Sequence, residues 1–136
     1  MGERRKVIAF AGGGSGGHFY PQVSVARELM ASRNPPRIFF VSAKGSIEEK
    51  LIPREGFDLY LISSGKLKGQ SVVSLVKTAA ALFLSVFSSI RIILREKPDL
   101  IFSAGGYAGA PFLVLGALLG IRCEILEQNR VPGLAN

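Results

Sequence analysis

The chain has 136 residues, of which 48% are hydrophobic and 20% charged, so it is long enough for one domain with a single core and too apolar to be disordered. Its single cysteine, Cys123, excludes a disulfide within the chain and fits a reducing compartment. The net charge of +7 favours an anionic partner, either a nucleic acid, a phosphate-bearing substrate or a membrane surface, although general solubility explains it equally well.

Short apolar runs alternate with segments of helical periodicity along the whole chain. The predicted strands are residues 6–11, 37–42, 59–63, 99–103 and 122–126. The predicted helices are residues 21–32, 47–55, 72–95 and 111–119. This alternation predicts an α/β fold, a doubly wound parallel sheet with helices on both faces and the strand order 3-2-1-4-5.

A glycine-rich loop joins the first predicted strand to the first predicted helix, and it contains Gly12, Gly13, Gly14, Ser15, Gly16 and Gly17. Exposed backbone N–H groups at a helix N-terminus favour negative charge, so the loop is a candidate cradle for a phosphate or diphosphate. The spacing also satisfies the dinucleotide fingerprint, but the acid expected after the second strand is replaced by Lys44. A nicotinamide cofactor with a 2′-phosphate therefore stays open as an alternative, as does a tight turn without a ligand.

His18 follows this loop and is the only histidine in the sequence. An imidazole accepts a proton at neutral pH, which makes His18 a candidate general base or a hydrogen-bonding group for a substrate. A histidine that only caps the helix is the structural alternative.

Two further polar clusters follow predicted strands at the same edge of the sheet. Gly105, Gly106 and Tyr107 come after the fourth strand, and Glu127, Gln128 and Asn129 come after the fifth. Because the first and fourth strands are expected to be neighbours, the two glycine loops should face each other at the topological switch point, where ligands bind in such sheets. Glu127 is a second candidate base.

The chain resembles the MurG family of glycosyltransferases in three segments. Residues 11–21 are similar to the family's first glycine loop, residues 97–111 to its second, and residues 127–136 to the segment between its two lobes. The resemblance covers essentially the whole chain but only the N-terminal part of the family's length. Single departures are Ser15 for a usual threonine, Ser103 for a frequent glycine, Gly109 for a frequent serine and Leu126 for a common histidine.

The resemblance implies a GT-B fold with two Rossmann-like lobes, of which residues 1–136 are the N-terminal, acceptor-side one, without the C-terminal donor-binding lobe. The implied activity is an inverting, metal-independent and cofactor-free transfer of N-acetylglucosamine from UDP-N-acetylglucosamine to an undecaprenyl-diphosphate-linked muramyl-pentapeptide, in peptidoglycan synthesis. Donor contacts are implied for Ser15, Gly16, Gly17 and Asn129, and a base or acceptor contact for His18.

The segment 72–94 is apolar but has only 13 uncharged residues between Lys77 and Arg91, fewer than a bilayer requires, so we predict that it does not span a membrane. Val76, Phe83 and Phe87 are predicted on its core-facing stripe. Leu82 and Leu84 would lie beside this stripe. A basic rim predicts a peripheral contact with anionic lipid at the cytoplasmic face of the bacterial plasma membrane, with rim residues Lys66, Lys68, Lys77 and Arg91. An ordinary buried helix is the alternative.

Two other functions stay open at this point. The chain is either an enzyme lobe that is inactive alone or a non-catalytic subunit that binds the membrane or the acceptor for a separate donor-binding chain. An NADP-binding domain is less well supported. Nucleic-acid binding is not expected, because the basic residues are not interleaved with aromatic residues along any predicted strand.

Overall fold

The computed structural model describes residues 4–13, 16–63, 72–106 and 109–126. Within these ranges the strands are β1 (Val7–Ala11), β2 (Arg37–Ala43), β3 (Asp58–Ile62), β4 (Leu100–Ser103) and β5 (Arg122–Ile125). The helices are α1 (Gly16–Met30), α2 (Glu48–Arg54), α3 (Val72–Glu96) and α4 (Ala110–Leu118). All strand pairs are parallel and the order is β3-β2-β1-β4-β5, so the predicted sheet and strand order are confirmed.

The sheet is buried on both faces because alternate residues of its central strands point to opposite sides. From β1, Val7, Ala9 and Ala11 face a core closed by α3 and α4. Ile8 and Phe10 face a second core closed by α1 and α2. The two glycine-rich segments therefore follow strands that are held in place by packing on both faces of the sheet.

Helix α1 begins earlier than the sequence predicted. The apolar spacing predicted a start at residue 21, but the helix begins at Gly16 and contains Pro21 in its second turn. Proline lacks only the one N–H that would donate to the Gly17 carbonyl, and the helix continues past it. As a result, His18 belongs to the first turn of α1 and has a fixed backbone.

The predicted core stripe of α3 is wrong in the first part of the helix, although its last position, Ile93, is in the core. Val76, Phe83 and Phe87 are 63%, 75% and 63% exposed, whereas Ser85 and Ser89 are fully buried. Small residues face the interior because α3 packs closely beside α4 on the same face of the sheet. The large apolar side chains are left on the outer face.

By length and composition alone, Leu75–Glu96 of α3 is apolar enough to cross a membrane. Lys77 and Arg91, which bounded the uncharged run in the sequence, both lie inside this segment. The C-terminal turns of α3 are nevertheless built into the domain, since Ile92 and Ile93 belong to the core under the sheet and Glu96 is buried.

Candidate active site

The two glycine loops meet beyond the carboxyl ends of β1 and β4. These strands are hydrogen-bonded neighbours, so the chain leaves the sheet side by side after Ala11 and after Ser103. The N–H of Gly13 donates to the carbonyl of Gly105 at 3.3 Å. The predicted meeting of the loops at the topological switch point is confirmed.

Direct backbone contact explains the glycine at position 106. Gly106 has a φ of +93°, and a Cβ built there would lie 2.3 Å from the carbonyl oxygen of Gly13. The same closeness appears at Gly109, where a Cβ would lie 2.2 Å from the nitrogen of Gly12. Any side chain at these positions would separate the loops.

His18 connects the first glycine loop to the second. Its Nδ1 lies 2.8 Å from the carbonyl oxygen of Ala104. A carbonyl oxygen only accepts hydrogen bonds, so Nδ1 must carry the proton and donate it. In the neutral ring Nε2 is then the nitrogen with a free lone pair, and it is the atom able to accept a proton from a substrate.

Three buried polar side chains support the loops from below, and the sequence prediction missed all three. Gln22, 3% exposed, donates from Nε2 to the carbonyl of His18 at 3.1 Å. Ser103, also 3% exposed, accepts the N–H of Gly105 at its Oγ at 3.1 Å. Two sequence features would have found them: Gln22 is one helical turn after His18, and Ser103 is the last residue of a strand that ends at the site.

The third support is Glu48, the first residue of α2, which is 3% exposed. Its carboxylate lies against the first glycine loop, because a Cβ built on Gly13 would be 2.4 Å from Oε1. An acidic side chain is favoured at this position, because the dipole of a helix is positive at its N-terminus. Position 48 follows β2 at the same sheet edge, which is the sequence feature that would have found it.

The structure brings together five of the predicted site residues at this edge: Gly13, Gly17, His18, Gly105 and Gly106. Gly16 is the first residue of α1 beside them. The predicted membrane residues Leu82, Leu84, Lys77 and Arg91 lie on α3 and are exposed. The other predicted site and membrane residues lie outside the described part of the chain, and they are Gly14, Ser15, Lys66, Lys68, Tyr107, Glu127, Gln128 and Asn129.

A doubly wound parallel sheet with a glycine-lined helix N-terminus and a histidine at its switch point has the fold of one lobe of a GT-B glycosyltransferase. Residues 8–136 match the glycosyltransferase family 28 N-terminal domain, and the chain belongs to this family.

Curated relatives carry the name UDP-N-acetylglucosamine–N-acetylmuramyl-(pentapeptide) pyrophosphoryl-undecaprenol N-acetylglucosamine transferase. The one from Myxococcus xanthus is 39% identical over 129 residues, which is 95% of this chain and 34% of the relative. The one from Geotalea uraniireducens is 40% identical, over 95% of this chain and 35% of the relative. The chain therefore spans about a third of the length of these relatives, and the resemblance to the MurG family is confirmed.

Solved structures agree with this assignment. The crystal structure of Acinetobacter baumannii MurG has a TM-score of 0.82 and 27% identity, covering 96% of this chain and 38% of that one. A glycotransferase of kitacinnamycin has a TM-score of 0.63 at 18% identity, which shows a shared fold. This family membership weighs against the NADP-binding alternative.

Proposed function

We propose that this chain supplies the acceptor-side half of an inverting hexosyltransferase. The donor is UDP-N-acetylglucosamine, and the acceptor is the undecaprenyl-diphosphate-linked N-acetylmuramyl-pentapeptide of peptidoglycan synthesis. The observation that carries the proposal is His18, whose Nδ1 is bonded to the Ala104 carbonyl so that Nε2 is the proton-accepting nitrogen. The identities of the proposed donor and acceptor are taken from the names of the relatives.

In the proposed reaction, this half of the enzyme takes part in one proton transfer. The C4 hydroxyl of the muramyl sugar attacks the anomeric carbon of the donor as its proton moves to Nε2 of His18. A new glycosidic bond forms while the bond between the anomeric carbon and the diphosphate oxygen breaks, and UDP leaves with the electron pair. A positioned base of this kind contributes roughly 10²–10⁴ to the rate.

The glycine loops would bind a diphosphate beside this base. The 15-residue helix α1 begins at the first loop, so its N–H groups and dipole favour an anion there. Gly13 and Gly106 are in backbone contact and have no side chains of their own, so the loops present backbone at these positions, with the Glu48 carboxylate against Gly13. The acceptor's own diphosphate and the departing UDP are both suited to this surface.

Transfer of labelled N-acetylglucosamine to a soluble lipid I analogue tests the proposal. The chain is assayed alone and with a separately supplied C-terminal lobe of the Myxococcus xanthus relative, and we expect transfer only with that lobe. His18→Asn can keep an N–H donor for the Ala104 carbonyl, because its amide nitrogen is attached at the same distance along the side chain as Nδ1, but it removes the base, so we expect kcat to fall by about 10²-fold or more.

Glu28→Gln, at an exposed position on the same helix, is the matched control and should retain full activity. Absence of transfer with a folded chain and an active added lobe would contradict the proposal and favour a non-catalytic acceptor-binding subunit. Full activity of His18→Asn would remove His18 from the mechanism.

We also propose that the outer face of α3 contacts an anionic membrane at the cytoplasmic face of the bacterial plasma membrane. Leu82, Phe83, Leu84 and Phe87 are 47–75% exposed there, and Lys77 and Arg91 are exposed on the same helix. Because α3 runs antiparallel to the strands, its N-terminal half lies at the same end of the sheet as the glycine loops. A lipid-linked acceptor would then reach the site without leaving the bilayer.

Sedimentation with vesicles containing anionic phospholipid tests this contact. We expect Phe83→Glu and Leu84→Glu to weaken binding strongly, and added salt to weaken it further. Met30→Glu places the same change on a 41% exposed side chain of α1, on the opposite face of the sheet, and should bind like the wild type. Equal binding of all three variants would contradict the proposed contact.

A further inference from the structure

The hydroxyl of Ser103 holds one particular peptide group of the second glycine loop. Its Oγ accepts the N–H of Gly105 at 3.1 Å in a buried position. The backbone of Ser103 is fixed as well, because its carbonyl accepts the N–H of Leu126 at 2.7 Å. The hydroxyl is therefore presented from the rigid end of β4 and not from a loop.

The N–H of Gly105 and the carbonyl of Ala104 belong to the same peptide group. A peptide group is planar, and in its trans form the N–H and C=O point in opposite directions. The bond from Gly105 to Ser103 thus fixes the direction of the Ala104 carbonyl. That carbonyl is the acceptor for Nδ1 of His18, at 2.8 Å.

Rotation of this peptide group would reverse the chemistry of His18. Gly105 has a φ of +91° and glycine tolerates many backbone conformations, so the sequence itself does not prevent such a rotation. After rotation an N–H would point to Nδ1, and Nδ1 could meet it only as an acceptor. The ring proton would then sit on Nε2, the atom required to accept a proton from the substrate.

We propose that Ser103 is a positioning residue that locks the peptide group between Ala104 and Gly105 and thereby fixes the tautomer of His18 with Nε2 unprotonated. The catalytic consequence rests on the function proposed above. The tautomer itself does not, and it is measurable on the chain alone.

Nitrogen NMR of the labelled 136-residue chain measures the tautomer directly. His18 is the only histidine, so the long-range proton–nitrogen spectrum contains a single imidazole. We expect a protonated Nδ1 and an unprotonated Nε2 at a pH where the ring is neutral. A wild-type spectrum with the proton mainly on Nε2 overturns the proposal.

Ser103→Ala removes the acceptor of the Gly105 N–H and should shift the tautomer ratio by about tenfold towards protonated Nε2, as expected for the loss of one buried hydrogen bond. Ser89→Ala is the matched control, because Ser89 is fully buried and its hydroxyl has no hydrogen-bond partner among the described residues. It should leave the ratio unchanged. An unchanged ratio in Ser103→Ala overturns the proposal. If that variant does not fold, Ser103→Cys, with a similar shape and a weaker acceptor, provides the same comparison.

Kinetics with the added C-terminal lobe then separate positioning from general stability. We expect Ser103→Ala to lower kcat in proportion to the lost population of the tautomer with Nε2 unprotonated, by at most about tenfold, with little change in the acceptor KM. A shifted tautomer without transfer by the wild type would refute the proposed transferase activity and support the lock. Transfer by the wild type with an unshifted tautomer in Ser103→Ala would refute the lock and support the activity.

Discussion

Replacing Gly106 by alanine tests the contact between the two glycine loops. The new Cβ would lie 2.3 Å from the carbonyl oxygen of Gly13, about 1 Å closer than a carbon and an oxygen ordinarily approach. The loops must separate by a distance of that order, and the alanine must also adopt a φ near +93°. The positive φ costs about 1–2 kcal/mol, and the overpacking adds about 1–3 kcal/mol.

Gly120→Ala is a control that isolates the contact. Gly120 has a φ of +76°, and a Cβ there would have no atom within 4 Å, so this variant has the backbone cost without the collision. Urea unfolding of both variants gives the two free energies of unfolding. We expect Gly106→Ala to lose about 1–3 kcal/mol more than the control.

The same pair should differ in catalysis. A displacement of about 1 Å at a reacting centre costs up to about 10²-fold in rate, so Gly106→Ala should lose most of its transfer activity when assayed with the added C-terminal lobe. Gly120→Ala should retain it. Equal free energies of unfolding for the two variants would show that the two glycine loops are not in contact, and the described geometry of the site would then be wrong.

Two further predictions concern the frame that carries the site. Hydrogen bonds from Arg37 and, after it, from Tyr60 hold the pKa of Glu96 below its ordinary value of 4.5, so its contribution to stability is complete above that pH and is lost as the pH falls through the lower value of the folded chain. Glu96→Gln should therefore flatten the acid side of the stability curve measured by urea unfolding, whereas Glu124→Gln, at an exposed ion pair, should not. Phe112→Ala, at a fully buried ring packed edge-on against Phe39, should cost about 3–5 kcal/mol in the same assay, and a loss below about 1 kcal/mol would contradict the assigned core.

Much of this fold was predictable because its determinants are local. Five short apolar runs separated by helical segments leave few topologies other than a doubly wound parallel sheet, and the strand order then places the residues after β1 and β4 side by side. The contact between His18 and Ala104 could not be predicted, because it depends on a direction of one peptide group that periodicity does not encode. The same holds for Glu48, whose burial against Gly13 follows from the angle at which α2 leaves the sheet.

Helix α3 shows a different limit of sequence patterns. Periodicity identifies an apolar face but not what covers it, and we predicted that the sheet covers the face with Phe83 and Phe87. The sheet instead takes the side with Ser85 and Ser89, because α3 and α4 share one face of the sheet and small side chains let them approach. Close approach on this face is also visible at Gly116 of α4, where a Cβ would lie 2.1 Å from Ile101.

The outer face of α3 then has an energetic cost in water. Burying a phenylalanine side chain gains about 1.5–3 kcal/mol, a gain that Phe83 and Phe87 do not obtain inside the described fold. The buried hydroxyls of Ser85 and Ser89, which have no hydrogen-bond partner among the described residues, add to this cost. A helix that places its small polar residues inside and its large apolar residues outside gains stability when an apolar phase covers it, and this is the arrangement that a contact with a bilayer would use.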